Sequence, residues 1–106
     1  GKNLLVIDDS IVRGNTSKGI VELLKNKGAK KIYFASAAPK IYNSNNFGIF
    51  IEKKEELATF KNKTNEEISK FLNVENVFYN NLNDVLDIVK KLNPSIENME
   101  ISMFID

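Results

Sequence analysis

The chain has 106 residues, of which 15 are Lys or Arg and 14 are Asp or Glu, so its formal net charge is +1. This length suits one domain with one hydrophobic core, and the near-zero charge offers no field for a nucleic acid or an anionic membrane. Because Cys and His are both absent, disulfides, thiol nucleophiles, Ser-His-Asp triads and imidazole metal sites are excluded. No apolar run approaches the ~20 residues of a membrane-spanning helix and no signal peptide opens the chain, which predicts a cytoplasmic location.

The first third of the chain predicts a strand–helix–strand unit. The apolar run at 3–7 is typical of a central strand buried on both faces of a parallel sheet. A helix with Gly28 as its C-terminal cap is predicted over 15–27, with an apolar face formed by Ile20, Val21, Leu23 and Leu24. A second strand is predicted at 31–37, and such a crossover unit makes the two strands parallel neighbours.

The middle of the chain carries weaker signals. A brief strand is predicted at 47–51 and a short helix at 53–60, whose Lys53 to Glu56 turn is expected to be solvated. Thr64 and Glu67 have the spacing of a capping box, which predicts a helix start. The apolar face of that helix consists of Ile68, Phe71 and Leu72.

The last third predicts a strand, a helix and an edge strand. The strand is placed at 76–80, the helix at 81–92 with Asn81 as its cap, and the edge strand at 99–105. The helix is expected to end before Pro94. Its inward-facing apolar residues are expected to be Leu82, Val85, Leu86, Val89 and Leu92. The three tyrosines (Tyr33, Tyr42 and Tyr79) are interpreted as packing or surface aromatics. Alternating strands and helices predict an α/β architecture.

The segment VIDDSIVRGNTS, residues 6–17, carries the chemistry. It joins the end of a strand to the start of a helix, where α/β sheets bind ligands. The carboxylates of Asp8 and Asp9 suit hydroxyl groups or Mg²⁺. Gly14 permits close approach of a ligand, and the helix start at Asn15, Thr16 and Ser17 favours a phosphate, to which Arg13 adds a charged contact. The predicted ligand therefore has a diol or metal at one end and a phosphate at the other. Asp8 and Asp9 are expected to face one concave site together with the amides of residues 14–17.

This segment closely resembles the phosphoribosyl-pyrophosphate (PRPP) signature VDDSIVRGTTS of glutamine amidophosphoribosyltransferases. The resemblance continues through the GIVELLKNKGAKKIYFASAAP run, FGI at 47–49, EEL at 55–57, the run from Glu66 to Leu72 and NLNDVLDIVKKLNP at 81–94. It implies that residues 1–106 are the C-terminal portion of a type I phosphoribosyltransferase-like domain, a partial parallel-sheet α/β fold without the glutaminase domain. We expect this portion alone to be inactive.

The resemblance also implies an activity. The full enzyme of this family transfers ammonia from glutamine to C1 of PRPP, which releases pyrophosphate and gives 5-phosphoribosylamine in the first step of purine biosynthesis. Asp8 and Asp9 would be the catalytic pair and would bind Mg²⁺ and the ribose hydroxyls. The implied PRPP contacts are Asp8, Asp9, Ser10, Val12, Arg13, Gly14, Asn15, Thr16 and Ser17. A homo-oligomer of the full-length protein, and inhibition by purine nucleotides, are implied as well.

Several positions depart from the family pattern. Asn15 replaces the first Thr of RGTTS, which changes a hydroxyl contact to an amide. Phe50 and Glu52 replace the usual Asp and Pro near the nucleotide site, which leaves feedback inhibition open. Since the chain has no Cys, it resembles the branch of the family without an iron–sulfur cluster.

Two other functional classes share part of this sequence pattern. The NLLVIDDS opening also resembles a response-regulator receiver domain, but a receiver needs a phosphoacceptor Asp after its third strand, and no Asp occurs between Asp9 and Asp84. A non-catalytic PRPP-binding regulatory protein would share the acid pair. A basic nucleic-acid face should accompany it, and the mixed Lys and Glu surface gives none.

Overall fold

The computed structural model of the chain describes residues 1–44 and 53–105, apart from the side chain of Lys61. The predicted strand at 47–51, the FGI match, and the departures at Phe50 and Glu52 lie outside the described residues. The three strands are β1 (Asn3–Asp8), β2 (Lys31–Ser36) and β3 (Asn76–Tyr79). The helices are α1 (Asn15–Asn26), α2 (Ala58–Lys61), α3 (Asn65–Leu72) and α4 (Leu82–Leu92), and 3₁₀ turns lie at Lys54–Glu56 and Ser102–Phe104.

The strands form one parallel sheet in the order β1-β2-β3. In its register Asp8 lies beside Ser36, and Ser36 beside Tyr79. This confirms the parallel α/β class and the pairing of the first two strands. Among the described residues, however, β2 is the central strand and β1 an edge, because β3 pairs with the far side of β2. A receiver-type sheet has the order 2-1-3 with β1 in the middle, so this order also argues against the signalling alternative.

The core lies on one face of the sheet. Phe34 and Val77 from this face pack with Val21 of α1 and with Ile68 and Leu72 of α3, and all five are buried. Burial of such a cluster is the main source of folding free energy in a small domain.

The opposite face of the sheet is open. Leu5 and Ile7 of β1 remain 59% and 71% exposed, and Phe78 of β3 is also exposed. The prediction that the first strand is buried on both faces is therefore wrong. Successive side chains of a strand point to opposite faces, and the helices that pack with the described core, α1 and α3, lie on one of them.

The helix boundaries follow the local signals closely. Gly28 ends α1 with φ of 99°, and the amides of Gly28 and Ala29 donate to the carbonyls of Lys25 (3.0 Å) and Leu24 (3.1 Å), a Schellman motif. The Thr64 hydroxyl accepts from the Glu67 amide at the start of α3. These caps are confirmed. The prediction that Leu23 belongs to the inner apolar face of α1 is wrong, because this residue is 58% exposed.

Helix α4 is confirmed in its bounds but not in its burial. The Asn81 side chain caps it by accepting from the Asp84 amide at 3.2 Å. None of its side chains is fully buried, and Leu92 is 82% exposed. The prediction that its apolar stripe points inward is therefore wrong for Leu92. Amphipathic spacing identifies an apolar face, but it does not determine what covers that face.

The segment at 53–60 is not one helix. Leu57 is extended, with φ of −68° and ψ of 140°, and separates the 3₁₀ turn from α2. Its side chain is buried with Ile41 and Met103 in a second, smaller core, against which Val12 packs. The chain leaves the helical path where Leu57 enters that core.

The C-terminal segment is not an edge strand, so that prediction is wrong. Its Met103 lies in the 3₁₀ turn Ser102–Phe104, and the Met103 carbonyl accepts from the amides of Tyr42 (2.7 Å) and Asn43 (3.2 Å). Burial of Met103 in the second core holds the segment there. None of the helices within the described ranges is long and apolar enough to cross a membrane.

Candidate functional site

The acid pair lies where β1 ends. Asp8 is the last residue of the strand and half-buried, whereas Asp9 is exposed. One Asp8 carboxylate oxygen accepts from the Asp9 amide at 2.8 Å. The backbone carbonyls of Asp8 and Asp9 accept from the amides of Ala37 and Ala38, both at 2.9 Å. The turn after β2 therefore fixes the backbone that carries both carboxylates.

Ile11 and Val12 anchor the loop that follows. Ile11 is buried in the main core, and Val12 packs against the second core. The Val12 carbonyl also accepts from the Ala58 amide at 2.9 Å. The middle of the loop is thus attached to both cores. Its polar groups lie at its two ends, which are the acid pair and the start of α1.

Gly14 is the N-cap of α1 and adopts φ of 85°, in the left-handed region. A Cβ at this position would lie 2.8 Å from Cε1 of Phe71 and 3.4 Å from Cβ of Ala58. Glycine is therefore required here both by the backbone conformation and by packing against α3. These two structural reasons for glycine come in addition to the close approach of a ligand, which the sequence predicts and which stays a prediction.

The first turn of α1 is suited to an anion. Its N-cap supplies no side-chain oxygen, and the turn contains no acidic residue. Asn15 and Thr16 are exposed, whereas Ser17 is 3% exposed. The amides of a first turn lack partners within the helix and carry the positive end of its dipole, so they favour a phosphate.

Arg13 does not extend freely into solvent. Its Nε lies 2.8 Å from Oε2 of Glu56, in a bond that joins residues 43 positions apart. Glu56 ends the 3₁₀ turn that the sequence predicts to be solvated, and its side chain stays exposed while it pairs with Arg13. A run of charged residues does not indicate which of its side chains will form an ion pair with a distant arginine.

Arg13 and Asn15 line a cavity of about 600 Å³. Glu55, Glu56 and Asn62 supply further polar groups, and Leu57, Ala58 and Phe71 the apolar ones. Asp8 and Asp9 are not among the described residues that line it. Arg13 and the start of α1 therefore lie beside the same cavity.

Phe71 and Glu56 are two neighbours of this loop that the sequence does not identify as such. The sequence predicts Phe71 only as part of a helix face, yet it lies against Gly14, and the Lys18 ammonium is 5.1 Å from its ring centroid. The only sequence signal for these contacts is indirect, since a glycine after Arg13 indicates a close approach without naming the partner.

Asp8 and Asp9 are the carboxylates of this loop that could bind Mg²⁺. In the described ranges no group of three or more acidic side chains is arranged to hold a metal ion. Mg²⁺ in phosphate-transfer sites is usually held by one or two carboxylates together with water and substrate phosphates. Asp8 and Asp9 fit that mode, and they do not form an all-protein cage.

A parallel sheet with an acid pair at the end of one strand, followed by a glycine-capped helix, is consistent with part of a type I phosphoribosyltransferase-like fold. Comparison with curated proteins agrees. The chain is 45% identical over 103 residues to the amidophosphoribosyltransferase of Pasteurella multocida, and 42% identical over 103 residues to that of Escherichia coli. It is 46% identical over 90 residues to that of Saccharomyces cerevisiae.

A solved structure has the same fold. The glutamine PRPP amidotransferase of B. subtilis, complexed with ADP and GMP, superposes with a TM-score of 0.73 and 28% sequence identity over 92% of this chain. No family model matches the chain. Over nearly its whole length the chain is therefore similar to one part of the amidophosphoribosyltransferases.

The match covers a part of each relative. It includes 97% of this chain but 20% of the Pasteurella and Escherichia proteins, and 85% of this chain but 18% of the yeast protein. In the B. subtilis structure it covers 21% of the chain. The chain thus spans about a fifth of the length of the relatives it matches.

Proposed function

We propose that this chain is the PRPP-binding part of a glutamine amidophosphoribosyltransferase and the C-terminal portion of its phosphoribosyltransferase domain. The complete enzyme would transfer ammonia from glutamine to C1 of PRPP, releasing pyrophosphate and forming 5-phosphoribosylamine. The observation that carries this proposal is the position of residues 8–17, between a parallel strand and a glycine-capped helix, in a chain whose named relatives are enzymes of this kind.

The acid pair would act on the ribose. As pyrophosphate leaves C1, positive charge develops on the sugar ring, and the carboxylates of Asp8 and Asp9 would stabilise it. Their oxygens also suit the ribose hydroxyls as hydrogen-bond acceptors. Asp8 and Asp9 are the residues that would hold Mg²⁺, which when bound neutralises charge on the pyrophosphate.

The helix start would bind the 5′-phosphate. Val12 to Ser17 form this loop, in which the Asn15, Thr16 and Ser17 amides begin α1 and the Thr16 hydroxyl is exposed. Ser10 lies between the acid pair and the buried Ile11. Binding the phosphate at one end and the ribose at the other would fix C1 for attack by ammonia, which is itself a nucleophile and needs no His base.

The wider context belongs to the same proposal. Ammonia would come from a glutaminase domain of the complete protein, which we expect to be a cytoplasmic homo-oligomer without an iron–sulfur cluster. The B. subtilis relative is described in complex with ADP and GMP, which supports purine nucleotides as inhibitors.

The proposal is tested with the full-length polypeptide that contains this chain. Pyrophosphate release from PRPP is measured with ammonium salt in place of glutamine, with Mg²⁺ present or removed by a chelator. We expect release that depends on PRPP, ammonia and Mg²⁺. A full-length protein that is folded and hydrolyses glutamine, yet releases no pyrophosphate from PRPP, would contradict the proposal.

A further inference from the structure

Two polar contacts and one apolar contact join the phosphate loop to the segment at 56–58. The first is the ion pair of Arg13 with Glu56 at 2.8 Å, and the second is the bond from the Ala58 amide to the Val12 carbonyl at 2.9 Å. Leu57, between the two, is buried in the core against which Val12 packs. An ion pair, a backbone hydrogen bond and an apolar contact therefore hold the phosphate loop and the segment at 56–58 together.

The ion pair by itself adds little to stability. The Arg13 and Glu56 side chains are 45% and 37% exposed, and pairs at such sites are weakened by water and salt. Val12, Leu57 and Ala58 already hold the segments together. The more informative consequence concerns Arg13, the single arginine of the chain, because Glu56 limits the conformations of a long and otherwise mobile side chain.

The guanidinium retains further donors while it is held. It has five N–H groups, and the bond to Glu56 uses Nε, so the terminal nitrogens remain the ones suited to a phosphate. Arg13 directly precedes Gly14, and both Arg13 and Asn15 line the same cavity. A phosphate at the start of α1 would lie close to this side chain.

We propose that Glu56 is a positioning residue, which holds Arg13 so that its terminal nitrogens bind the 5′-phosphate of PRPP. This inference rests on the proposed function. Glu56 touches no substrate in this proposal and acts through Arg13 alone. The carboxylate raises the affinity for PRPP by ordering Arg13 before the substrate arrives.

The test uses Glu56→Gln in the full-length enzyme, assayed with ammonia and varied PRPP. The expected result is a KM for PRPP that rises about five- to tenfold while kcat stays within about twofold, because ground-state binding is what is lost. Glu66→Gln is the matched control. It removes a carboxylate of the same charge from the exposed Glu66–Lys70 pair (3.6 Å) on α3, and should leave both constants unchanged.

A charge swap separates positioning from a purely structural tie. In the double variant Arg13→Glu with Glu56→Arg the ion pair can form again, so the thermal midpoint should return toward that of the native enzyme. The KM for PRPP should stay high, because a carboxylate now stands beside the phosphate. Recovery of the native KM in the swap would overturn the proposal.

Other outcomes are equally decisive. A lower KM in Glu56→Gln would mean that Glu56 competes with the phosphate for Arg13, which overturns positioning. Equal KM values for Glu56→Gln and Glu66→Gln would overturn it too, with PRPP use intact. Absence of PRPP turnover in the native enzyme would instead refute the proposed function, and this inference with it. Glutamine hydrolysis, measured in parallel, reports that each variant is folded.

Discussion

Phe71 of α3 occupies the space that a side chain at Gly14 would need, since a Cβ there would lie 2.8 Å from Phe71 Cε1. The contact links the start of α1, where the phosphate is expected, to the helix that closes the core. Gly14→Ala should therefore be destabilising by about 1–3 kcal/mol, because alanine is strained at φ of 85° and must also displace the ring.

Gly19→Ala is the matched control for that prediction. Gly19 lies inside α1, and nothing approaches within 4 Å of a Cβ built there. Alanine at that position should stabilise the protein by about 0.5–1 kcal/mol, because glycine loses more conformational freedom in a helix. Thermal unfolding of both variants gives the comparison, and equal midpoints would contradict the account of Gly14.

The acid pair should be needed for PRPP chemistry and dispensable for glutamine hydrolysis. Asp8→Asn or Asp9→Asn removes a charge that would stabilise the developing cation, so kcat/KM for PRPP should fall about a hundredfold or more. Steady-state assays of the full-length enzyme with ammonia measure this. Asp87→Asn, an exposed position on α4, serves as the control. Full activity in the double Asp8→Asn, Asp9→Asn variant would refute the site.

Thr16→Ala should act more weakly. Its hydroxyl would be one of several donors to a charged phosphate, and such a bond contributes about 1.5–3 kcal/mol, so the KM for PRPP should rise at least about tenfold with kcat little changed. Thr64→Ala is the control, because Thr64 caps α3 and its loss should lower stability without changing the KM. A drop in kcat with unchanged KM in Thr16→Ala would argue against the phosphate contact.

Tyr79 should make stability depend on alkaline pH. Burial, with a smaller effect of Tyr42, raises the pKa of Tyr79 from 10.0 to about 12, and its buried hydroxyl has no hydrogen-bond partner among the described residues. Because the folded pKa lies above the unfolded one, the free energy of unfolding does not depend on this group below pH 10 and falls as the pH rises toward 12. Since the ring is partly exposed, that fall is at most about 2 kcal/mol.

Tyr79→Phe tests this. The variant should lose the alkaline dependence in the window from pH 10 to 12. At neutral pH it should be about 1 kcal/mol more stable, because an unpaired buried hydroxyl is removed. Denaturant unfolding at several pH values and ultraviolet titration of the phenolate measure both effects, and Tyr42→Phe should lower the pKa of Tyr79 part of the way. A Tyr79→Phe variant that is less stable at neutral pH would contradict this view of the hydroxyl.

The sequence by itself determines the local features of this protein. The caps at Thr64, Asn81 and Gly28, the parallel β1–β2 pair and the position of the loop between β1 and α1 are all predicted correctly. Each depends on residues within a few positions of one another, or on a chirality rule that holds for all such crossover units. A capping side chain bonds to an amide two or three residues away, so its partner is present in the same short stretch of sequence.

Only the tertiary structure decides which distant residues meet and which faces are covered. Nothing in a Lys-Lys-Glu-Glu run indicates that Glu56 binds Arg13, and nothing at Gly14 names Phe71. The same apolar pattern gives a fully buried Ile32 in β2 and a 71% exposed Ile7 in β1, because packing depends on which elements lie above each face. The hydrophobic effect is non-directional and depends on how much apolar area is removed from water. Which side chains become buried is therefore decided by the assembled core and cannot be derived from the local pattern.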